Sequence, residues 1–358
     1  MAFLQQYVFR FNVLVERRRT LRNLLVLREG LSDRVRPRLS EQNLLVASWN
    51  IKEFGHTTQR LPEAFFYMAE IISRFDLVAV QEIKSNLADL HILMRLLGDD
   101  WAYLVNDITE GDAGNSERSG YLYNKKRVEF GGLAGEIVLW DDLIENAAIS
   151  QLKRTPYITG FKAGWKTFAM VCLHLHPGRN ADDVALRGEE VRLLLAAIDH
   201  KISQGRLWND NLILCGDFNF YSGANRDDAT IQMVNDAGFR EVQGLIGRDT
   251  NASHTEAYDR LFVTSNDYFR VATDDDDQEI GDVFELFDYV YQDGQETSYA
   301  GVMRNQYTGS RDMTDPANLS AYYRHPWRKN QMSDHFPIWF ELLTDSTDDF
   351  MESKLEDY

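Results

Sequence analysis

The residues able to do acid–base or metal chemistry stand where short apolar runs stop. Asn50 follows Leu44–Trp49, Glu82 follows Leu77–Gln81, and His174 follows the run ending in Val171-Cys172-Leu173. Asp217 and Asn219 follow Leu212–Gly216, Asp259 precedes Arg260–Val263, and Asp334-His335 precedes Phe336-Pro337-Ile338. Runs of this length read as buried strands. Strand ends that carry carboxylates, amides and imidazoles in this way deliver them to one rim and a shared cleft. Asp217 and Asn219 are two apart, so an extended chain points both to the same side. Taken one at a time, an Asp-x-Asn is a turn former, a lone histidine is a surface or core residue, and a Gln-Glu is solvated. The ordered set carries the argument.

The elements that must position these groups read as layered α/β. Seven runs are strand candidates: Leu44–Trp49, Leu77–Val80, Tyr121–Tyr123, Phe168–Leu173, Leu212–Cys215, Arg260–Val263 and Ile338–Leu342. Residues 62–74 and 182–203 have helical spacing, the second with Val184, Leu186, Val191, Leu194, Leu195 and Ile198 on one broad face. Helices lying on buried strands give an α/β or α+β architecture. Residues 7–30 mix apolar positions with arginines and read as a further helix, which Arg36-Pro37-Arg38 ends. We expect a basic N-terminal helical segment over 1–42, a main domain over 43–345 and an acidic tail over 346–358.

Composition bounds the partners. The chain has 358 residues and a formal net charge of -18. A protein that coats nucleic acid is basic, so any phosphate chemistry here needs a local site with a cation held by carboxylates. No stretch is apolar enough to span a membrane, and the N-terminus lacks a basic region before its apolar residues. Cys172 and Cys215 are the only cysteines and sit in apolar runs, which reads as buried thiols. A cytoplasmic protein with no membrane association is the expectation. Residues 1–41 hold nine Arg against four acidic residues, whereas Asp274 to Asp288 contains eight acidic residues.

The motifs Ser48-Trp-Asn-Ile, Val80-Gln-Glu, Cys172-Leu-His-Leu, Gly216-Asp-Phe-Asn, Tyr258-Asp-Arg-Leu and Ser333-Asp-His-Phe-Pro occur in the order of the endonuclease/exonuclease/phosphatase superfamily, which the sequence resembles over about residues 44–343. Ser116-Glu117-Arg118 and Lys153-Arg154-Thr155-Pro156 point to its deoxyribonuclease I branch. The resemblance implies a four-layer α/β/β/α sandwich of two mainly antiparallel sheets and metal-dependent phosphodiester hydrolysis, most simply of DNA. It implies Mg2+ as cofactor, with Mn2+ or Ca2+ as alternatives, held by Glu82, Asn50 and Asp334. Asp217 and Asn219 match the residues that orient or deprotonate the attacking water. His335 matches the catalytic histidine with Asp259 as its partner, and His174 the second histidine with Glu117. Arg154 matches a phosphate-contacting arginine. Lys84 stands where that branch has a groove-reading arginine, so it keeps the charge and loses the fork.

Other readings stay open. A phosphoesterase of the same fold acting on a small or lipid phosphate is the alternative, although Tyr258-Asp-Arg-Leu lacks the Trp-Cys of the inositol-phosphate branch; an inactive binding module is a third. The insertion over 266–331 is acidic and then aromatic. Its aromatics are expected to form a core of their own; the sharper reading is that Tyr322–Lys329 stacks on a nucleic-acid strand, with Arg324 and Arg328 meeting phosphates. Val13, Leu14, Leu24, Leu25 and Leu27 suggest that the N-terminal helix docks on this domain or on a protein partner.

Overall fold

The computed structural model describes residues 14–37, 42–55, 60–108, 116–205, 210–221, 227–264 and 266–355. The elements that matter are helices α1 (Leu14–Arg34), α2 (Pro62–Ile72), α3 (Ala88–Leu97), α4 (Ala181–Ser203), α5 (Asp228–Asp236) and α6 (Glu296–Gln306). The strands are β1 (Asn43–Phe54), β2 (Leu77–Lys84), β3 (Trp101–Val105), β4 (Glu117–Asn124), β5 (Glu129–Glu136), β6 (Tyr157–Ala163), β7 (Lys166–His174), β8 (Leu212–Asp217), β9 (Phe239–Glu241), β10 (Asp259–Thr264), β11 (Gly281–Val283) and β12 (Ile338–Leu343).

The strands form two six-stranded sheets, ordered β11-β12-β1-β2-β4-β3 and β5-β6-β7-β8-β10-β9. Neighbours are antiparallel except β1/β2 and β7/β8, so each sheet holds one parallel pair at its centre. The sheets pack face to face through Tyr121, Phe161, Phe168, Cys172 and Cys215. Helices α2 and α3 cover one outer face, and α4 covers the other through Val191, Leu194 and Ile198 against Leu212 and Leu214. This is the four-layer sandwich. Burial on both faces explains why β1, β7 and β8 read as unbroken apolar runs. Pro62 opens α2, where its missing N–H costs nothing, and α4 starts on a capping box between Asn180 and Asp183.

Helix α1 lies against α2 and the insertion. Leu24, Leu27 and Leu31 are buried in the same core as the sheets, whereas Leu25 faces out; Val13 falls outside the described residues. The arginines of α1 meet the domain's own acids: Arg19 pairs with buried Glu63 at 2.6 Å, Arg28 with Glu70 at 3.3 Å and Arg34 with Asp282 at 3.0 Å.

The insertion does not build a separate core. Tyr291, Tyr299, Tyr323 and Trp327 are buried, stack on one another and join the main cluster through Tyr67 of α2. Tyr323 and Trp327 therefore cannot stack on a nucleic-acid strand, which corrects that reading. Strand β11 adds to the edge of the first sheet beside β12.

Candidate functional site

The chemistry gathers where the parallel pairs of both sheets end. His174 of β7 lies opposite Asp217 of β8, and Asp217 lies opposite Asp259 of β10, so one register row delivers three functional groups. Gly216 makes this possible. Its φ is +129°, and a Cβ there would stand 2.1 Å from the Leu173 carbonyl oxygen; only glycine tolerates this approach.

Asp217 is the hub. Its Oδ2 accepts from Asn50 Nδ2 at 3.0 Å and lies 3.5 Å from His174 Nε2 and 3.8 Å from His335 Nε2. Its Oδ1 accepts from the Asn219 backbone N–H at 2.9 Å. Asn219 turns the chain with φ +52° and donates Nδ2 to the Leu175 carbonyl.

Each histidine is backed by a carboxylate. His335 Nδ1 meets Asp259 Oδ2 at 2.7 Å, and the same oxygen accepts from Thr250 Oγ1 at 2.8 Å. Burial opposes a charge on His335, but Asp259 and Asp217 outweigh it and raise the imidazole well above its ordinary range. Burial pushes the Asp259 carboxyl up, against the pull of His335. His174 Nδ1 lies 3.2 Å from Glu117 Oε2. Burial also opposes the charge on Glu117, yet His174, Arg154 and Lys84 hold it far below the usual carboxylate range. Lys84 Nζ is 3.0 Å and Arg154 Nε 2.8 Å from its two oxygens.

Glu82 sits at a bulge where the β1/β2 and β2/β4 registers shift. Its φ is +61°, a left-handed conformation that a glutamate adopts only when its surroundings impose it. The bulge re-aims the side chain. Glu82 Oε1 accepts from Asn50 Nδ2 at 3.1 Å and Oε2 from the Glu53 N–H at 2.9 Å. Asn50 Oδ1 is buried without a hydrogen-bond partner. An orphaned amide oxygen beside a carboxylate is an all-oxygen donor set, which fits a hard ion that keeps several waters. Among the described residues no three His, Cys, Asp or Glu side chains converge as a metal cluster. Asp334 Oδ2 lies 3.1 Å from Lys52 Nζ.

The cations expected to contact substrate have partners within the chain. Lys84 is buried and pairs with Glu117 at 3.0 Å. Arg154 is also largely covered, with Nη1 donating to the Leu175 carbonyl. Arg328 is held inside the insertion by Asp293 at 2.6 Å and by the Phe287 ring at 4.6 Å. Arg324 is half exposed and 3.6 Å from Asp293.

Sequence reasoning missed Lys52, Thr250 and Ser333. Lys52 lies in the irregular stretch of β1 after Asn50, where simple alternation gives no signal. Ser333 donates Oγ to the Asn50 carbonyl at 2.6 Å and accepts from the His335 N–H at 3.1 Å, pinning the Asp334-His335 turn to β1. Thr250 gave no local signal.

With this geometry in view, the chain can be set beside known proteins. It is 28% identical to human deoxyribonuclease-1 over 235 residues, covering 62% of this chain and 77% of that protein. An endonuclease/exonuclease/phosphatase family protein from Bacteroides thetaiotaomicron superposes with a TM-score of 0.50 at 18% identity, over 85% of this chain and 98% of the other. The chain has a deoxyribonuclease I-like fold and is similar to proteins of the endonuclease/exonuclease/phosphatase superfamily. TDP2 from D. rerio, solved with a single-strand DNA product, superposes with a TM-score of 0.51 at 15% identity, over 84% of this chain and 98% of the other. No family model matches. No described helix is long and apolar enough to cross a membrane.

Proposed function

We propose that this protein hydrolyses phosphodiester bonds with the help of a divalent cation, and that DNA is its substrate class. The observation that carries the reading is Asp217 set between two histidines, each backed by a carboxylate, beside an orphaned Asn50 oxygen and Glu82. Phosphodiester hydrolysis needs an activated water, compensation for charge growing on the phosphate, and a protonated leaving oxygen.

Asp217 is placed to accept the proton of an attacking water, with Asn50 and the Asn219 N–H fixing its carboxylate. His335, held charged by Asp259, faces the same space and can neutralise a phosphoryl oxygen or protonate the leaving group. His174 flanks the other side, kept in place by Glu117. Glu82 and Asn50 would hold the cation, which when bound draws charge from a phosphoryl oxygen. Similarity to deoxyribonuclease-1 supports DNA as the substrate. The acidic overall charge favours the second reading, a small phosphodiester.

One panel separates these readings. Purified protein is incubated with supercoiled plasmid, a single-stranded oligonucleotide and a generic aryl phosphodiester, with Mg2+ or with EDTA. Nicked plasmid in Mg2+ alone supports a DNA endonuclease. Cleavage of the small diester only would move the substrate class, and no metal-dependent cleavage of any substrate would overturn the reading.

A further inference from the structure

Beside His335 stands a built cationic shelf that the hydrolytic site does not use. The Tyr258 ring packs against the His335 ring, centroids 5.8 Å apart. Its hydroxyl accepts from Arg179 Nη2 at 3.4 Å, and Glu256 takes the same nitrogen at 2.8 Å. The Arg179 guanidinium lies 5.0 Å from the Tyr221 ring centroid, and Tyr221 meets Tyr258 edge-on at 5.1 Å. Although held by two rings and a carboxylate, the Arg179 side chain is 60% exposed. It is one tyrosine ring away from the catalytic histidine and open to a ligand.

A buried ion pair between α4 and the start of α5 anchors the shelf. Arg187 and Asp227, both fully buried, meet bidentately at 2.9 and 3.0 Å. Arg187 Nη1 also donates to the carbonyls of His176 and Gly178, just before Arg179. Asp227 accepts the Tyr221 N–H at 2.9 Å, and Tyr221 OH accepts the Gly178 N–H at 3.2 Å. Holding a guanidinium over aromatic faces keeps its plane oriented, so little order is lost when it meets an anion.

We propose that Arg179, oriented by Tyr221 and Tyr258, binds the phosphate next to the scissile one, so that the site selects a polynucleotide strand over a lone phosphodiester. This rests on the phosphodiesterase reading above. A planar fork matches two phosphate oxygens. In a chain of net charge -18 a strand needs such a cation close by, within a Debye length of about 8–10 Å.

The test measures binding in EDTA, where no cleavage occurs, of fluorescent dinucleoside monophosphate and trinucleoside diphosphate, by anisotropy against salt. The first carries only a scissile phosphate and the second adds its neighbour. The wild type should bind the longer ligand about 10-fold tighter, and Arg179→Ala should erase most of that preference and flatten its salt slope by about 0.7, the single-strand value for one phosphate contact. Arg179→Lys should keep the slope and recover part of the affinity. Melting curves establish that each variant is folded. An unchanged preference in Arg179→Ala, or equal weakening on both ligands, would overturn the proposal. Mg2+-dependent cleavage of an oligonucleotide by the wild type is scored separately, so failure of the phosphodiesterase reading shows there and not in the binding ratio.

Discussion

Replacing Asp259 by Asn tests the electrostatic logic of the site with little change in shape. Asp259 is fully buried, 2.7 Å from His335 Nδ1, and is held by Thr250. A hydrogen bond to a charged group contributes about 1.5–3 kcal/mol, and each 1.36 kcal/mol in the barrier is tenfold in rate. If the bond persists in the transition state, Asp259→Asn should slow turnover roughly 10- to 150-fold. The pH profile gives an independent readout. Asp259 and Asp217 raise the His335 imidazole, so the charged form persists to higher pH in the wild type. Without the Asp259 charge the imidazolium is lost at lower pH, and the basic limb of the rate profile should move down. The assay is initial hydrolysis of the preferred substrate in saturating Mg2+ across pH, with a melting curve at each point. A variant that is folded, turns over at the wild-type rate and keeps its basic limb would refute the assignment of His335 as a charged catalytic group.

Glu82→Ala should lose metal response and activity together while melting like the wild type, read by Mg2+ titration of activity and of thermal stability. Glu117→Gln leaves Lys84 and Arg154 buried without their shared carboxylate; breaking a buried pair costs about 3–5 kcal/mol, so denaturant unfolding should show a loss on that scale together with lower activity. Leu27→Ala on α1 removes a fully buried side chain and should cost about 2–5 kcal/mol by the same measurement, with catalytic constants of the folded protein unchanged.

Much of the fold was legible because its central strands are buried on both faces. All seven apolar runs fall in strands, and the two periodic stretches are α2 and α4. The strands that escaped notice carry weaker patterns. β5 is Glu-Phe-Gly-Gly-Leu-Ala-Gly-Glu, an exposed edge with three glycines, and β11 is three residues long. The pairing of His335 with Asp259 and of His174 with Glu117 was legible through motif order, and the distances place each pair together. The fate of the cations was not. Lys84 and Arg328 look identical in sequence to solvent-facing charges, and only the fold shows that Glu117 and Asp293 take them. The insertion misled for a related reason: Tyr299 buries itself against α1 and α2, partners that are distant in sequence, and Trp327 packs on Tyr299.

The central claim is that Asp217 serves metal-dependent phosphodiester hydrolysis. The most direct measurement compares the initial rate of Mg2+-dependent cleavage by wild type and by Asp217→Asn on one substrate, with binding measured in EDTA. Loss of a general base or water-positioning group costs about 10²- to 10⁴-fold, so the account predicts a fall in that range with substrate affinity changed far less. A folded Asp217→Asn variant that cleaves at the wild-type rate would contradict it.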